Sequence, residues 1–330
     1  MRFSIIIPVY NRPEELEELL QSICAQTGEH DFEVIVIDDG SDKRSNVLVS
    51  NYETQIDIKY CFKKNSGPGD SRNYGMKRAS GTYFIMLDSD CMLPENYLSI
   101  VNDSLKAGYV DAYGGRDEAH ESFSSWQKAV NYSMTSLLTT GGLRSKESDN
   151  NKFQLRSFNL GISKKAFVVT GGFSKQRIGE DIDLNYKLLE KDCSTKLIDD
   201  AFVYHKRRTS LGAFYKQTRN FGAARPILSK MHPGSAKFSY WLPSLFVLGF
   251  MLSILMSFTG MLLGIYVYSF YFVCIIIDSY IKNKSIAVGF LSLLSSFTQF
   301  FGYGLGYLRT VFRLYIQRKE PRDAFPGMFA

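Results

Sequence analysis

Phe84-Ile-Met-Leu-Asp88-Ser89-Asp90 is an apolar, strand-like run that ends abruptly in two carboxylates one residue apart. Side chains alternate along a β-strand, so Asp88 and Asp90 are predicted to converge on one point at the strand's end. Such a pair suits a hard divalent cation, which takes oxygen ligands and shares them with the phosphates of a bound substrate. Taken alone, the tripeptide reads first as an Asp/Ser turn, and the flanking motifs reverse that preference.

On the N-terminal side, Ser4-Ile-Ile-Ile-Pro8-Val9-Tyr10-Asn11 reads as a buried strand followed by a break. Pro8 has no ladder donor, so pairing is expected to end there and to expose Val9, Tyr10 and Asn11. From Pro13 to Ile23 apolar residues recur at helical spacing, with glutamates in the first turns where the helix dipole favours them. Val34-Ile-Val-Ile37-Asp38-Asp39-Gly40-Ser41 then repeats the apolar strand ending in acids. Strand, helix, strand with short connections predicts the α/β class with a parallel, doubly wound sheet. Ligands of such sheets sit beyond the carboxyl ends of the strands. The segments from Pro8, Asp38 and Asp88 all fall on that rim.

Five segments now stand in order over roughly the first 205 residues: Ser4 to Asn11, Val36 to Ser41, Asn65-Ser-Gly67-Pro-Gly-Asp-Ser-Arg72-Asn73-Tyr-Gly75, Gly81 to Asp90, and Gly179-Glu180-Asp181-Ile-Asp183-Leu184. The ordered set resembles the signature of the family 2 inverting glycosyltransferases, which have the GT-A fold, a Rossmann-like doubly wound sheet. The resemblance implies that Pro8, Tyr10 and Asp39 hold the nucleobase and ribose of a UDP- or GDP-sugar, with Asn11 beside them. It puts Arg72 near the base or phosphates and Ser89 on the phosphate side. Asp39 can accept from a uracil-like N–H, and Arg72 presents a fixed fork of donors.

The same resemblance makes Asp90 a direct ligand of Mg²⁺ or Mn²⁺ and Asp88 a direct or water-mediated one. His205, in Ala201-Phe-Val203-Tyr-His205, matches the position of a further ligand. The cation would act as a Lewis acid on the departing diphosphate. Asp181 takes the role of general base, with Glu180 as its catalytic neighbour. The acceptor hydroxyl then attacks opposite the leaving group, inverting configuration with no covalent intermediate. Each assignment has a structural alternative: an Asx turn for Asp38 and Asp39, helix capping for Glu180 and Asp181, and a packing histidine for His205. Asn159, in Ser157-Phe-Asn159-Leu-Gly161, matches a polar family position, and packing serves as well as recognition there. Processive relatives carry Gln/Arg-x-x-Arg-Trp after the base. Lys216-Gln217-Thr218-Arg219-Asn220 lacks that tryptophan, which points to transfer of a single sugar.

Composition changes sharply past residue 205. From Ala201 to Ile277 there is no Asp or Glu, while Lys206, Arg207, Arg208, Lys216, Arg219, Arg225, Lys230 and Lys237 all precede Trp241. A basic segment placed before apolar sequence suits anionic lipid headgroups, with a solvated basic face, steering of a phosphate-bearing acceptor or a lining of the diphosphate site as alternatives. Trp241 to Ile277 carries no charge and is too long for one span of about 20 residues. Ser257-Phe-Thr-Gly260 is a plausible tight connection, giving helices near 241–258 and 261–281. Ile286 to Leu308 is also uncharged, yet it contains Gly289, Gly302, Gly304 and Gly306. A third crossing would place Arg309, Arg313, Arg318, Lys319 and Arg322 outside, against the positive-inside rule. The third segment therefore reads as re-entrant or interfacial rather than as a firm span. Phe123 to Leu143 is an amphipathic stretch with Trp126 and Tyr132, placed late enough to belong to the acceptor side, and packing serves as well as recognition there.

The 330 residues, net charge +6, thus divide into a 1–205 catalytic domain, a 206–240 basic interfacial segment, 241–308 apolar helices and a 309–330 basic tail. No secretory signal is expected: the first apolar run is short, interrupted by Pro8 and followed by acids. Cys24, Cys61, Cys91, Cys193 and Cys274 show neither metal nor redox spacing. The expectation is a protein of the inner (cell) membrane with its catalytic domain in the cytoplasm. Its expected partners are a nucleotide-sugar, a lipid-linked glycan acceptor and membrane lipids, and not nucleic acid. One rival is transfer to polyprenyl phosphate, as in dolichol-phosphate mannose synthases. Another is a non-catalytic membrane scaffold. A general nucleotide-binding protein would show a glycine-rich phosphate loop after the first strand, and none is present.

Overall fold

The structure, a computed structural model, describes residues 1–120, 122–141 and 154–329. Met1–His120, Asp149–Lys206 and Gly327–Ala330 form one compact unit; Glu121–Ser148 and Arg207–Pro326 form the other.

In the first unit the chain runs β1 (Phe3–Val9), α1 (Pro13–Cys24), β2 (Phe32–Asp38), α2 (Asn46–Ser50), β3 (Ile58–Phe62), α3 (Pro68–Met76), β4 (Tyr83–Leu87), β5 (Cys91–Met92), α4 (Tyr97–Ala107), β6 (Ala112–Gly114) and β7 (Asp117–Glu118). After α5 (Ser125–Thr135) and α6 (Leu137–Thr140), which belong to the second unit, it resumes with β8 (Asn159–Ser163), α7 (Lys164–Thr170), α8 (Glu180–Glu190), β9 (Thr195–Leu197) and β10 (Val203–His205). Seven strands make a sheet in the order β3-β2-β1-β4-β8-β6-β9. The unbroken apolar runs follow from burial on both faces. Phe3, Ile5, Ile7 and Val9 enter one core with Leu16, Leu19 and Leu20 of α1, while Ile6 enters the other with Ile35, Ile37, Phe84 and Met86.

Two expectations change here. The sheet is parallel from β3 through β4, but β8 runs antiparallel to both β4 and β6, so it is mixed rather than parallel throughout. Pairing also continues past Pro8: β1 stays on β2 to Val9↔Asp38, and Val9 is buried. Phe3 and Val9 turn their backbone groups toward β2 (Phe3 N–H to Asp31 O, 3.0 Å; Asp39 N–H to Val9 O, 2.9 Å). Pro8 therefore faces the β4 side, where pairing has already stopped at Ile6↔Met86, and its missing donor is not needed.

β5, β10 and β7 form a second, three-stranded sheet in which His205 is the register partner of Cys91. Within this unit Arg177 N–H bonds Met328 O at 2.8 Å, and Gln176 bridges to Phe329.

The second unit continues with α9 (Leu211–Met231), α10 (Leu242–Ser257), α11 (Leu263–Asn283) and α12 (Ile286–Val311). Phe238–Ser257, Leu263–Asn283 and Ile286–Ile316 are long and apolar enough to cross a membrane. The glycines do not break α12. They allow close approach instead: a Cβ on Gly306 would stand 2.2 Å from Arg219 O, and one on Gly302 would stand 2.1 Å from Thr218 Oγ1. The amphipathic stretch from Phe123 is α5 plus α6. A Ser124/Gln127 capping box starts α5, Tyr132 hydrogen-bonds Asp278 (2.6 Å), and Trp126 meets Phe214 edge-on. Its last two residues, 142 and 143, lie outside the described residues.

Candidate active site

β4 stops at Leu87, and Asp88-Ser89-Asp90 is a turn into β5, closed by Cys91 N–H to Asp88 O at 3.1 Å. Carboxylates two apart share a face only within a strand, so Asp88 and Asp90 do not converge as predicted. They serve two separate clusters.

Asp88 turns toward Arg72. α3 delivers that arginine from a start fixed by Gly67, whose φ of 95° lies in the left-handed region open to glycine and whose N–H reaches Asp39 Oδ2 at 2.8 Å. The Arg72 side chain is 3% exposed and bridges Asp88 Oδ1 and Glu180 Oε1, the latter at 3.0 Å. Its Nε is buried without a hydrogen-bond partner, and the guanidinium carbon stands 5.3 Å from the centre of the Phe173 ring. α8 begins at Glu180, so Glu180 and Asp181 occupy its first turn, as the capping alternative requires. They differ in surroundings all the same. Burial, with the neighbouring Asp181 charge adding to it against the pull of Arg72, pushes the Glu180 carboxyl up to about 7. Asp181 is more accessible; its Oδ1 accepts Ile182 N–H at 2.8 Å and its Oδ2 lies 3.5 Å from Arg156.

Asp90 belongs to the second cluster. β10 sets His205 against it, with Nε2 3.1 Å from Asp90 Oδ1, and Phe158 stacks on the imidazole at 4.9 Å. The guanidinium of Arg12 holds Asp90 Oδ2. Ligand atoms of Asp90, Cys91 and His205 lie within 4.8 Å of one another. Burial pushes the Cys91 thiol well above its usual range, and it donates to Phe158 O at 3.7 Å. A neutral thiol is no ligand for a hard cation. The donors that fit Mg²⁺ or Mn²⁺ are therefore the Asp90 carboxylate and the His205 imidazole.

Along the rest of the rim, Asp38 is the Asx turn of the structural alternative: Oδ1 accepts Ser41 N–H (2.8 Å) and Oδ2 accepts Tyr60 O–H (2.5 Å). Asp39 is buried, and its carboxylate takes Lys63 Nζ (2.6 Å), Ser66 N–H (2.9 Å) and Gly67 N–H. Asn11, at φ 54°, accepts Asp42 and Lys43 N–H on its Oδ1 (2.8 and 3.1 Å) and so shapes the loop beyond β2. Tyr10 is exposed above it; Pro8 is half-buried and Ser89 buried. Asn159 is structural, bonded to Tyr97 O–H (2.6 Å) and Ala201 O (2.7 Å). Sequence reading missed Arg12, Lys63 and Arg156, the cations that neutralise this acidic rim. Arg12 stands directly after Tyr10 and Asn11, and that position was the available signal.

A four-stranded parallel half with acids along its carboxyl rim, a reversed β8 and a small sheet pairing an acid with a histidine together define the GT-A class. The model of the family described as glycosyl transferase family 2 matches residues 4–170, half of the chain, and the protein belongs to that family. An uncharacterized glycosyltransferase of Rickettsia bellii is 42% identical over 99 residues, 30% of this chain and 14% of that protein. The chondroitin synthase of Pasteurella multocida is 29% identical over 236 residues, 62% of this chain and 24% of that protein. The chain thus spans about a quarter or less of these two relatives. Among solved structures, Staphylococcus aureus TarS 1–349 aligns over 97% of this chain and 92% of its own with TM-score 0.50 at 18% identity. The mannosyltransferase PcManGT of Pyrobaculum calidifontis, in complex with GDP-Man and Mn²⁺, aligns over 94% and 87% with TM-score 0.58 at 14% identity. At these identities the likeness is one of fold.

Proposed function

We propose that the protein is a metal-dependent inverting glycosyltransferase that moves one sugar from a nucleotide-sugar to a lipid-linked glycan at the cytoplasmic face of a membrane. The observation that carries this reading is the division of the rim into two clusters, Asp88–Arg72–Glu180 beside Asp181 and Asp90–His205 beside Arg12. PcManGT in complex with GDP-Man and Mn²⁺ supports a donor of that class and a divalent cation. A cation held by Asp90 and His205 would supply Lewis-acid neutralisation of the departing diphosphate.

The chain's own residues do the rest. Asp39 and Tyr10 border the nucleoside end of the rim, with Pro8 and Asn11 shaping it. Arg72, a buried cation with an unused Nε donor, favours negative charge at the centre of the site. Asp181 accepts the acceptor hydroxyl's proton as that oxygen attacks the anomeric carbon. Glu180 positions Arg72 through their ion pair. The three apolar helices and the basic residues of α9 support action at a lipid surface.

The test is nucleotide release by detergent-purified protein across UDP-, GDP- and dTDP-sugars with Mn²⁺ or Mg²⁺, against lipid extract and against polyprenyl phosphate. Release that needs extract and cation and is lost in Asp181→Asn is expected. Turnover with polyprenyl phosphate alone would move the acceptor to the lipid phosphate. Release unchanged in Asp181→Asn would remove the base, and silence across the panel would favour a scaffold.

A further inference from the structure

The contacts of α12 do not match those of a third span. Along α12, Gly289 meets Ile276 and Ser292 bonds Ser279 (2.7 Å) on the carboxyl half of α11. Phe297 then meets both Phe272 and Phe250, Phe300 meets Phe246, and Gly304 lies against Pro243 and Val247 at the amino end of α10. α10 and α11 are antiparallel, with Phe246 and Phe250 beside Tyr268 and Phe272. A helix that passes from the end of α11 to the start of α10 lies across the base of the pair, not alongside it.

The other face of α12 is tied to polar helices. Ser295 Oγ donates to Ala129 O of α5 (2.9 Å), Gly302 lies on Thr218, and Gly306 lies on Arg219 of α9. α5 and α9 carry Lys128, Lys216, Arg219 and Lys230, which are costly in hydrocarbon. Exposed Ile286, Phe290, Leu294 and Leu305 leave α12 a further, apolar face. A helix apolar on one side and fastened to cationic helices on the other suits the plane of the interface.

Above this base the pair ends in an apolar tip. Phe258 is 82% and Leu263 77% exposed, and no charge falls between Trp241 and Ile277. At the tip Phe258, Thr259, Gly260 and Met261 N–H bond Leu255, Met256, Ser257 and Met256 O, and the Ser257 and Thr259 hydroxyls bond Ile254 and Met256 O. Each of these bonds leaves one polar group fewer to be satisfied in hydrocarbon. At 1.5 Å per residue, Phe250 to Phe258 reaches roughly 12 Å beyond the α12 contacts. One leaflet of hydrocarbon is about 15 Å, half of a roughly 30 Å core.

We infer that α10 and α11 form a re-entrant hairpin that dips into a single leaflet, with α12 in the headgroup plane, so that the chain enters and leaves the bilayer on one face. The inference rests on the proposed action at a lipid surface. It also keeps Arg309, Arg313 and Lys319 on the face from which the chain entered.

The test places Thr259→Cys in full-length protein bound to membranes and adds a charged maleimide to both faces of opened vesicles, with the parent protein as baseline. Labelling of the Thr259→Cys variant only after detergent, with Lys284→Cys reacting before it, is the expected result. Independently, Phe258→Trp fluorescence, taken as the difference from parent, is quenched more by phospholipids brominated near the chain ends than near the headgroup. Labelling before detergent together with headgroup-depth quenching would mean two full crossings and overturn the hairpin. Protein that fails to float with vesicles would overturn the membrane reading itself.

Discussion

The guanidinium of Arg72 and the carboxylate of Glu180, 108 positions apart in the chain, meet at 3.0 Å beneath the rim of the sheet, where neither is exposed to water. Removing one partner of a buried pair strands the other, a loss of about 3–5 kcal/mol. Arg72→Ala is therefore expected to lower the thermal midpoint sharply, and Arg72→Ala/Glu180→Gln to recover part of that loss. A double variant no more stable than Arg72→Ala would show that Glu180 is not the group left uncompensated.

Glu180 also gives stability a pH signature. Its folded carboxyl titrates at about 7 against the ordinary 4.5, so between those values the folded state holds a proton that the unfolded state has released. Stability attributable to this group falls as pH rises from 4.5 to 7 and is level above. Comparing denaturation midpoints of wild type and Glu180→Gln across that range should show a downward slope only in wild type.

The first strands and the acidic rim were legible in sequence because buried parallel strands are unbroken apolar runs, and Asp38 and Asp88 mark where two of them end. The division of labour between Asp88 and Asp90 was not, because it depends on β4 stopping with the apolar run at Leu87, so that Asp88-Ser89-Asp90 is a turn and not strand, and on a second sheet built from strands of two or three residues. His205 was located only through the family likeness, since nothing local to Val203-Tyr-His205 reveals that β10 pairs with Cys91. Arg12 and Lys63 escaped notice because a cation opposite an acid is a tertiary fact. The glycines of α12 suggested a broken helix, whereas they allow close contact: Gly302 and Gly306 with α9, Gly304 with α10 and Gly289 with α11.

If Asp181 is the base, Asp181→Asn should lower turnover by about 10²–10⁴-fold, the usual worth of a general base, with donor affinity little changed. Single-turnover rates and nucleotide binding by calorimetry separate the two. Equal loss of binding and rate would make Asp181 a donor-site residue instead.

Metal dependence should respond to His205 more gently than to Asp90. Losing a neutral ligand leaves the carboxylate anchor, so His205→Ala is expected to raise the Mn²⁺ needed for half-maximal activity while sparing the rate at saturation. Asp90→Asn removes the charged ligand and leaves Arg12 without its partner. Manganese titrations of activity check both, and a His205→Ala protein with the wild-type midpoint would dismiss the histidine as a ligand.

Gly306 and Gly212 make a matched pair of helical glycines within the second unit. A Cβ on Gly306 would stand 2.2 Å from the backbone oxygen of Arg219, whereas nothing lies within 4 Å of one on Gly212. Overpacking at a backbone contact costs about 1–3 kcal/mol, because a carbonyl cannot rotate aside as a side chain can. Replacing an open helical glycine with alanine gains about 0.5–1 kcal/mol through lost freedom of the unfolded chain. Gly306→Ala should therefore lower the melting midpoint of detergent-purified protein and Gly212→Ala raise it, although both change only one methyl group. Matching shifts in the two variants would mean that α9 and α12 are not held at glycine distance. The packing that lays α12 across the hairpin's base would then lose its support.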